Sequence, residues 1–265
     1  MRKILILISA LLFTITANAQ VTKGAGMLLK TGSSVTTLVG GSGGGVTAPD
    51  VLTTSQSVLG WYIADENYIT KAANDSISQW EDLSGNGYHL NAISGAYSID
   101  WNSGGYVHTS TGAGLNTSAY TFSAPNQYIA VMRINAAGNS DNWFFGPSTG
   151  STIRIRQNDS PYYGFYLRAS TWWTVTAASC GSSGSTWQIL VMVFNGSSSY
   201  VRINNNTPVT GDPGTGAPSG FRLGGDVATM AVADADYKEI IVANTLTSDD
   251  IDDIVTYLAT KYEIE

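Results

Sequence analysis

Short apolar segments separated by turn residues run through most of this chain and restrict the folds that it can adopt. Tyr200–Asn204 alternates apolar and polar residues, and Gln127–Asn135 is mostly apolar. Trp187–Phe194 is apolar nearly throughout, as expected of a central strand covered on both faces. Gly, Asn and Ser fill the intervals. The other predicted strands are Val58–Tyr62, Tyr106–His108, Asn142–Gly146, Ser151–Gln157, Tyr162–Arg168, Gly220–Gly224 and Tyr237–Asn244. This pattern predicts an all-β fold, an antiparallel sandwich.

The segment Trp80–Leu90 (WEDLSGNGYHL) is predicted to form a tight corner. Gly85 and Gly87 can adopt positive φ angles without the steric cost that other residues meet. The side chain of Asp82 can accept hydrogen bonds from the backbone of the turn. We expect the corner to dock onto the core through its apolar residues, which are Trp80, Leu83 and Leu90.

One short helix is predicted at the C-terminus. Thr247 or Ser248 can cap it, and four aspartates crowd its first turns, where the helix dipole favours negative charge. Apolar residues recur at helical spacing on one face, at Ile251, Ile254, Val255, Leu258 and Ala259. Because so short a helix is marginal by itself, we expect it to pack on the sandwich.

The first residues have the pattern of an export signal. Arg2 and Lys3 precede an apolar run, and Ala17-Asn18-Ala19 offers small residues at a cleavage site, so residues 1–19 are predicted to be a secretory signal peptide. The apolar run is short for a membrane anchor, and no later segment is apolar enough to cross a bilayer. We expect a secreted, periplasmic or cell-surface protein, or one on a virion surface, without membrane insertion.

Two further regions follow the predicted signal peptide. Residues 20–50 are rich in Gly and Ser and are interpreted as a flexible linker or an attachment segment, through which the chain would contact itself or other surface or virion proteins. The strands in this region are predicted near Met27–Lys30 and Val35–Val39. Residues 51–265 are the predicted folded domain.

The net charge and the cysteine content argue against nucleic acid as a partner and against a disulfide within the chain. Removal of Arg2 and Lys3 with the signal peptide changes the net charge from −7 to −9. So acidic a protein is not expected to bind nucleic acid, whose phosphates would repel it. Cys180 is the single cysteine, so no disulfide forms within the chain, and we interpret it as a passive small residue.

An ordered set of motifs resembles a known family. Leu59–Tyr62 and Ile77–Leu90 are followed near the C-terminus by Tyr237–Val242 and by the helix after Leu246–Ser248. This set is similar to the concanavalin A-like, laminin-G-like (LamG) jelly-roll domains of bacterial secreted and phage surface proteins. The resemblance implies two curved antiparallel sheets whose concave face serves recognition or adhesion. Some relatives on this fold are polysaccharide hydrolases or lyases.

The chain lacks the catalytic patterns that such enzymes use. A retaining glycosidase needs two close carboxylates, which the hydrolases of this family carry as Glu-x-Asp-x-x-Glu, and that string is missing here. Glu81 and Asp82 are adjacent, so an extended backbone directs them to opposite faces. His89 and His108 have no partner in any motif and are interpreted as surface or turn residues. We therefore expect no enzymatic activity.

A structural Ca²⁺ is a second implication of the resemblance, since several LamG-like relatives hold one near the edge of the sandwich. Asp82 in the corner and Glu239 on the last strand match family positions that lie near such a site. The alternative is that Asp82 only stabilises its turn and that Glu239 faces solvent.

The arginines after the signal peptide all occupy predicted strands. They alternate with apolar residues, as Arg154 and Arg156 do with Ile153 and Ile155, and no lysine lies among them. If the strands share one sheet, its outer face presents guanidinium groups and tyrosines, which suit acidic or neutral glycans. The alternatives are an ordinary solvated face or a subunit contact. The predicted ligand-binding residues are Arg154, Arg156, Arg168, Arg202, Arg222, Tyr162 and Tyr166.

Three tryptophans form a second candidate surface, an aromatic platform on loops. The third is Trp143. Trp172 and Trp173 lie among Ser and Thr, so we expect one ring in the core and the other exposed, near Asn142 or Arg168. An exposed indole suits a sugar ring and also a subunit contact.

The sequence thus predicts an exported, non-catalytic module that recognises carbohydrate or another surface ligand. The alternatives are a structural or adhesion component of a cell surface or virion, and a polysaccharide-active enzyme.

Overall fold

A computed structural model describes residues 28–31, 34–37, 46–72, 76–93, 99–110, 114–118, 120–121, 124–135, 142–148, 154–157, 164–182, 184–224 and 233–265. The predicted signal peptide lies outside these residues, as does most of the predicted linker. The first strands are β1 Leu28–Thr31, β2 Ser34–Thr37, β3 Val58–Ile63, β4 Ile69–Lys71, β5 Ile77–Trp80, β6 Leu90–Ala92, β7 Asp100–Asn102, β8 Tyr106–Thr109, β9 Gly114–Asn116 and β10 Asn126–Ile134.

The remaining strands are β11 Trp143–Gly146, β12 Arg154–Gln157, β13 Phe165–Arg168, β14 Trp172–Val175, β15 Gln188–Phe194, β16 Ser199–Ile203, β17 Val209–Gly211, β18 Arg222–Gly224 and β19 Ala235–Asn244. The helices are α1 Asp50–Thr54, α2 Ala177–Cys180 and α3 Ser248–Tyr262, with a 3₁₀ turn at Glu66–Tyr68.

Two large sheets form a sandwich, and the named strands pair in antiparallel fashion throughout. Sheet I has the order β17-β16-β15-β10-β19-β8-β7, and β3 also pairs with β19. Sheet II has the order β14-β13-β12-β11-β18-β9-β6-β5-β4, while β1 and β2 form a separate hairpin. The predicted all-β antiparallel sandwich is confirmed.

The main core lies between the two sheets. Sheet II contributes the fully buried side chains of Ile155 and Leu167, and sheet I contributes those of Met132 and Leu190. Inward residues alternate with outward ones along β12 and β13, as the sequence predicts. At the sheet edges, the half-buried Trp173 of β14 packs against this core.

A second core lies on the other side of sheet I, beneath helix α3. Ile129, Val191 and Ile241 of the sheet contact Ile254 and Leu258 of the helix within one buried cluster. Every residue of β15 is buried, because the inter-sheet core covers one face and the second core covers the other. The predicted central strand and the predicted packing of the C-terminal helix are both confirmed.

Helix α3 begins with a capping box. The Thr247 hydroxyl accepts a hydrogen bond from the backbone N–H of Asp250, and the Asp250 carboxylate accepts one from the N–H of Thr247. No helix among the described residues has the length and apolar character needed to span a membrane.

The Trp80–Leu90 corner is tied to strand β3. Trp80 and Leu90 are fully buried, and Gly85 and Gly87 have φ angles of 88° and 75°, which other residues rarely adopt. The hydroxyl of Tyr62 donates to the carbonyl of Tyr88 at 2.6 Å. The predicted docking of this corner onto the core is therefore confirmed.

Most of the strands that the sequence does not predict are only three residues long. Strands of three residues, such as β4, β6, β7, β9 and β17, contain too few residues to show alternation. Trp172 and Trp173 lie in strand β14 rather than in a loop, so that part of the prediction is wrong.

Candidate functional site

An aromatic and basic surface covers the outer side of sheet II at strands β11 to β14. The antiparallel register places Arg156 between Trp143 on β11 and Tyr166 on β13, and places Arg168 opposite Trp172 on β14. Because Ile155 and Leu167 point into the core, the alternating residues point outward. We call the side chains of Trp143, Arg156, Tyr166, Arg168 and Trp172 the Arg–Trp face.

The guanidinium groups of this face stack on indole rings. The guanidinium carbon of Arg156 lies 4.4 Å from the ring centroid of Trp143 and 4.8 Å from that of Trp172. Arg168 lies 5.4 Å from the Trp172 centroid, and the Tyr166 ring meets the same indole edge-on at 6.1 Å. Cation–π stacking therefore orders long side chains that would otherwise rotate freely.

Trp172 is the exposed member of the face. Its exposed fraction is 45%, whereas the other large hydrophobic residues of the described chain are buried or half-buried. Trp143 beneath Arg156 is 2% exposed. An indole left in solvent beside two guanidinium groups forms an amphipathic surface, apolar on the ring and hydrogen-bonding at its rim.

The electrostatic character of the face is positive. Strands β11 to β14 contain no Asp or Glu, and Arg154 occupies the register position opposite Arg168. The Arg168 Nε is buried and has no hydrogen-bond partner among the described residues. Planar guanidinium groups bind carboxylate, sulfate or phosphate through paired hydrogen bonds, so this face can bind anions beside an aromatic ring.

The structure divides the predicted set of arginines between the two sheets. Arg202 lies on β16 of sheet I, where its Nη1 donates to Asp252 of helix α3 at 2.6 Å. Arg222 lies on β18 of sheet II but is only 4% exposed. The prediction that these arginines share one outer face is therefore wrong for Arg202, because helix α3 covers its side of sheet I. Tyr162 lies outside the described residues.

The paired tryptophans separate as predicted. Trp172 is exposed, whereas Trp173 points to the other side of β14 and packs against the inter-sheet core. The Trp173 ring fills the space beside Gly211 of β17, where a Cβ atom would clash with it. Only a residue without a side chain allows that close approach.

The carboxylates of Asp82 and Glu239, the predicted calcium ligands, accept hydrogen bonds from surrounding donors. The two Asp82 oxygens accept from the backbone N–H groups of Trp61, Ser84 and Tyr88 at 2.9–3.0 Å and from the Ser84 hydroxyl. Asp82 therefore stabilises its corner, as the alternative interpretation holds.

Glu239 is fully buried and also surrounded by donors. It accepts from the Trp61 indole N–H at 2.6 Å, from Lys261 Nζ at 2.7 Å and from the Tyr262 hydroxyl at 2.8 Å. Burial, and then the charge of Glu239, raises the pKa of Tyr262 well above its usual value. Because cations need oxygens that face no donors, neither carboxylate fits Ca²⁺, and the described residues contain no metal-binding cluster of three His, Cys, Asp or Glu side chains.

The two histidines have partners that the sequence did not indicate. His89 Nδ1 accepts the backbone N–H of Asp82, and His108 Nδ1 lies 2.6 Å from Asp236 Oδ1. Asp236 is 128 residues from His108 in the chain, so no local motif relates them. Cys180 is buried, and burial raises the pKa of its thiol.

Comparison with known proteins shows the fold. No known protein family and no curated protein matches the sequence. The chain is similar to the Trypanosoma rangeli sialidase in complex with sialic acid, with 13% identity and a TM-score of 0.55 over 86% of this chain and 36% of the sialidase. A mutant of that sialidase displaying trans-sialidase activity gives 12% identity and a TM-score of 0.54 over 82% of this chain and 34% of its own.

A smaller structure matches along nearly its whole length. It is domain 4 of AbnA, a GH43 extracellular arabinanase from Geobacillus stearothermophilus, in complex with arabinotriose, with 16% identity and a TM-score of 0.50 over 75% of this chain and 98% of that domain. The chain spans about a third of the length of the sialidases. At these identities the comparisons establish a β-sandwich fold and leave function to the site.

Proposed function

We propose that this protein is an exported, non-catalytic recognition module that binds an acidic carbohydrate through the Arg–Trp face. The observation that carries the proposal is the exposed Trp172 ring beside the guanidinium groups of Arg156 and Arg168, on strands without carboxylates. The ring offers a stacking surface for a sugar, and the guanidinium groups offer hydrogen bonds to its carboxylate or sulfate groups. The LamG-like resemblance of the two ends of the chain agrees with such a role.

The same surface is consistent with a structural or adhesion role. Tryptophan and arginine are also the residues that dominate protein–protein contacts, so a partner of this kind would use the same side chains. Acid–base catalysis has less support, because β11 to β14 bring no pair of carboxylates to the face.

A glycan-binding assay tests the proposal. The secreted chain is titrated with heparin, chondroitin sulfate, alginate and polygalacturonate, and with dextran as a neutral polymer. We expect an acidic polymer to bind, and we expect Trp172→Ala and Arg168→Ala each to weaken that binding by about tenfold, the loss of one charge-assisted or stacking contact.

Arg202→Ala is the matched control, since it removes the same charge from the opposite sheet and is expected to bind as the wild type does. If no acidic polymer binds, or if Arg202→Ala weakens binding as much as Arg168→Ala, the proposed site is wrong. Self-association that is abolished by Trp172→Ala, without glycan binding, would favour the structural role.

A further inference from the structure

A second polar cleft lies on sheet I, away from the Arg–Trp face. It has a volume of about 480 Å³ and is formed by strands β7, β8, β10 and β19 with the segments next to them. Its lining contains acids, bases, amides and aromatic rings, among them Asp100, His108, Arg133, Asp234 and Asp236. The Arg–Trp face uses none of these five residues.

Four of the lining residues form a row across adjacent strands. In the antiparallel register, Asp100 lies opposite His108, His108 opposite Asp236, and Asp236 opposite Arg133. Directly opposed residues of antiparallel strands project to the same face of the sheet. The row therefore places a carboxylate, an imidazole, a second carboxylate and a guanidinium group side by side at the bottom of the cleft.

Asp236 fixes the orientation of both basic neighbours. It is 1% exposed; its Oδ1 lies 2.6 Å from His108 Nδ1, and its Oδ2 accepts from Arg133 Nε at 2.7 Å. The contact places a proton on His108 Nδ1, between the ring and Asp236, and leaves Nε2 as the ring nitrogen that does not face this carboxylate. Arg133 is further held over the rings of Tyr106 and Trp187, at 5.2 and 4.8 Å.

Two carboxylates of the lining each have one oxygen without a hydrogen-bond partner among the described residues, Asp100 Oδ1 and Asp234 Oδ1, and both residues are half-buried. Trp101 lies opposite Val107 and packs against the core between the sheets, so its side chain projects away from the row. Unsatisfied buried polar groups are rare in folded proteins because each one costs free energy, and each calls for an explanation. This cleft therefore contains unsatisfied acceptors beside the imidazole of His108 and the guanidinium group of Arg133.

The mixture of acids and bases in the lining indicates which class of ligand the cleft can bind. A metal ion uses acceptors alone, and the described residues bring no metal-binding group of three such side chains together. An anion is disfavoured because Asp100, Asp234 and Asp236 outnumber the single guanidinium group of Arg133. A neutral hydroxyl group both donates and accepts, so adjacent hydroxyls on one ring can donate to the carboxylates and accept from Arg133.

We propose that this cleft binds a neutral sugar unit, with Asp100 and Asp234 accepting from its hydroxyl groups and with Arg133 donating to one of them. The site is independent of the Arg–Trp face, which is basic and is proposed to bind an acidic glycan. The chain would then have two carbohydrate sites of opposite charge preference on its two sheets.

Calorimetric titration of the secreted chain with D-glucose, D-galactose, D-mannose, L-arabinose and N-acetylglucosamine tests this site. We expect millimolar binding of at least one of these sugars, and a loss of about tenfold in affinity for Asp100→Asn and for Asp234→Asn, which keep the side-chain volume. Asp253→Asn, on the exposed side of helix α3, removes the same charge outside the cleft and is expected to leave the affinity unchanged.

Several results would overturn the proposal. These are the absence of binding by all five sugars, wild-type affinity in both cleft variants, or Ca²⁺ binding that is lost in Asp100→Asn, which would indicate a cation site. Thermal unfolding of each variant shows whether it is folded. Trp172→Ala must leave this binding intact, so that failure here is distinguishable from failure of the Arg–Trp face.

Discussion

The outer faces of the two sheets differ in whether another element covers them, although the strands that build them follow the same pattern. On sheet I, Arg202 alternates with Val201 and Ile203, and helix α3 covers it with Asp252. On sheet II, Arg168 also alternates with buried residues, but it stacks on the exposed Trp172 and faces no described carboxylate. Equivalent positions in the sequence thus become part of a scaffold in one sheet and of a candidate binding surface in the other.

The comparison shows what alternation along a strand can and cannot specify. It tells which side chains point away from the core between the sheets, because successive residues point to opposite faces. Whether the outer side then meets solvent or another element depends on a helix from the other end of the chain. The side chains that hold this helix are therefore the ones whose loss is expected to cost most.

The largest expected effect is on the covered face, at Glu239. Replacement by Ala leaves the Lys261 ammonium, the Trp61 indole N–H and the Tyr262 hydroxyl without their acceptor in a buried site. Removal of one partner of a buried ion pair costs about 3–5 kcal/mol of unfolding free energy. Urea denaturation measures the loss.

Glu239→Gln combined with Lys261→Met provides the control, because it removes both charges and keeps an acceptor for Trp61. This double variant is expected to recover most of the stability. An unchanged unfolding free energy in Glu239→Ala would show that the helix does not depend on this network and would remove the distinction between the two faces.

The adjacent tryptophans give the second largest effect and compare the two sides of a single strand. Trp173→Ala removes a ring packed on the core and on Gly211, and is expected to cost about 3 kcal/mol. Trp172→Ala removes an exposed ring and is expected to change stability by less than about 0.5 kcal/mol. Thermal and urea unfolding of the two variants test this, and equal losses would contradict the assignment of one ring to each side.

Much of the fold was predictable because its signals are local. The alternation in Tyr200–Asn204, the continuous apolar run of Trp187–Phe194 and the capped helix after Thr247 each report burial within a few residues. The strands that escaped prediction are three or four residues long and are defined by their pairing partners rather than by their own pattern. Trp172 is such a case, since its strand exists only as the edge next to β13.

The candidate sites were less predictable because they depend on register between distant strands. Arg156 and Trp172 are 16 residues apart, and their stacking requires that β12, β13 and β14 pair in one register. His108 and Asp236 are separated by 128 residues. Sequence alone assigned outward positions correctly for Arg156 and Arg168, but it could not show that helix α3 would cover Arg202.

A third, smaller effect is expected at Arg202 and tests whether its charge matters to the scaffold. Its Nη1 donates to Asp252, yet its Nε and Nη2 are buried and have no hydrogen-bond partner in the part of the chain that the structure describes. Arg202→Ala loses both the ion pair and the packed stem, and is expected to cost about 1 kcal/mol. Arg202→Met keeps the apolar stem and is expected to lie within about 0.5 kcal/mol of the wild type. If Met is as harmful as Ala, the ion pair rather than the stem holds this position.

The smallest effect is expected from Arg168→Lys, and it separates charge from shape on the open face. Lysine keeps the positive charge but loses the planar group that stacks on Trp172 and binds carboxylate or sulfate through two parallel hydrogen bonds. An exposed cation–π contact contributes about 0.5–1 kcal/mol, so affinity for the acidic polymer should fall about two- to fivefold. The dependence of binding on salt should stay as in the wild type, because the number of charges is unchanged. Affinity equal to the wild type would mean that the face attracts its ligand by charge alone, whereas a loss as large as that of Arg168→Ala would place the recognition entirely in the guanidinium plane.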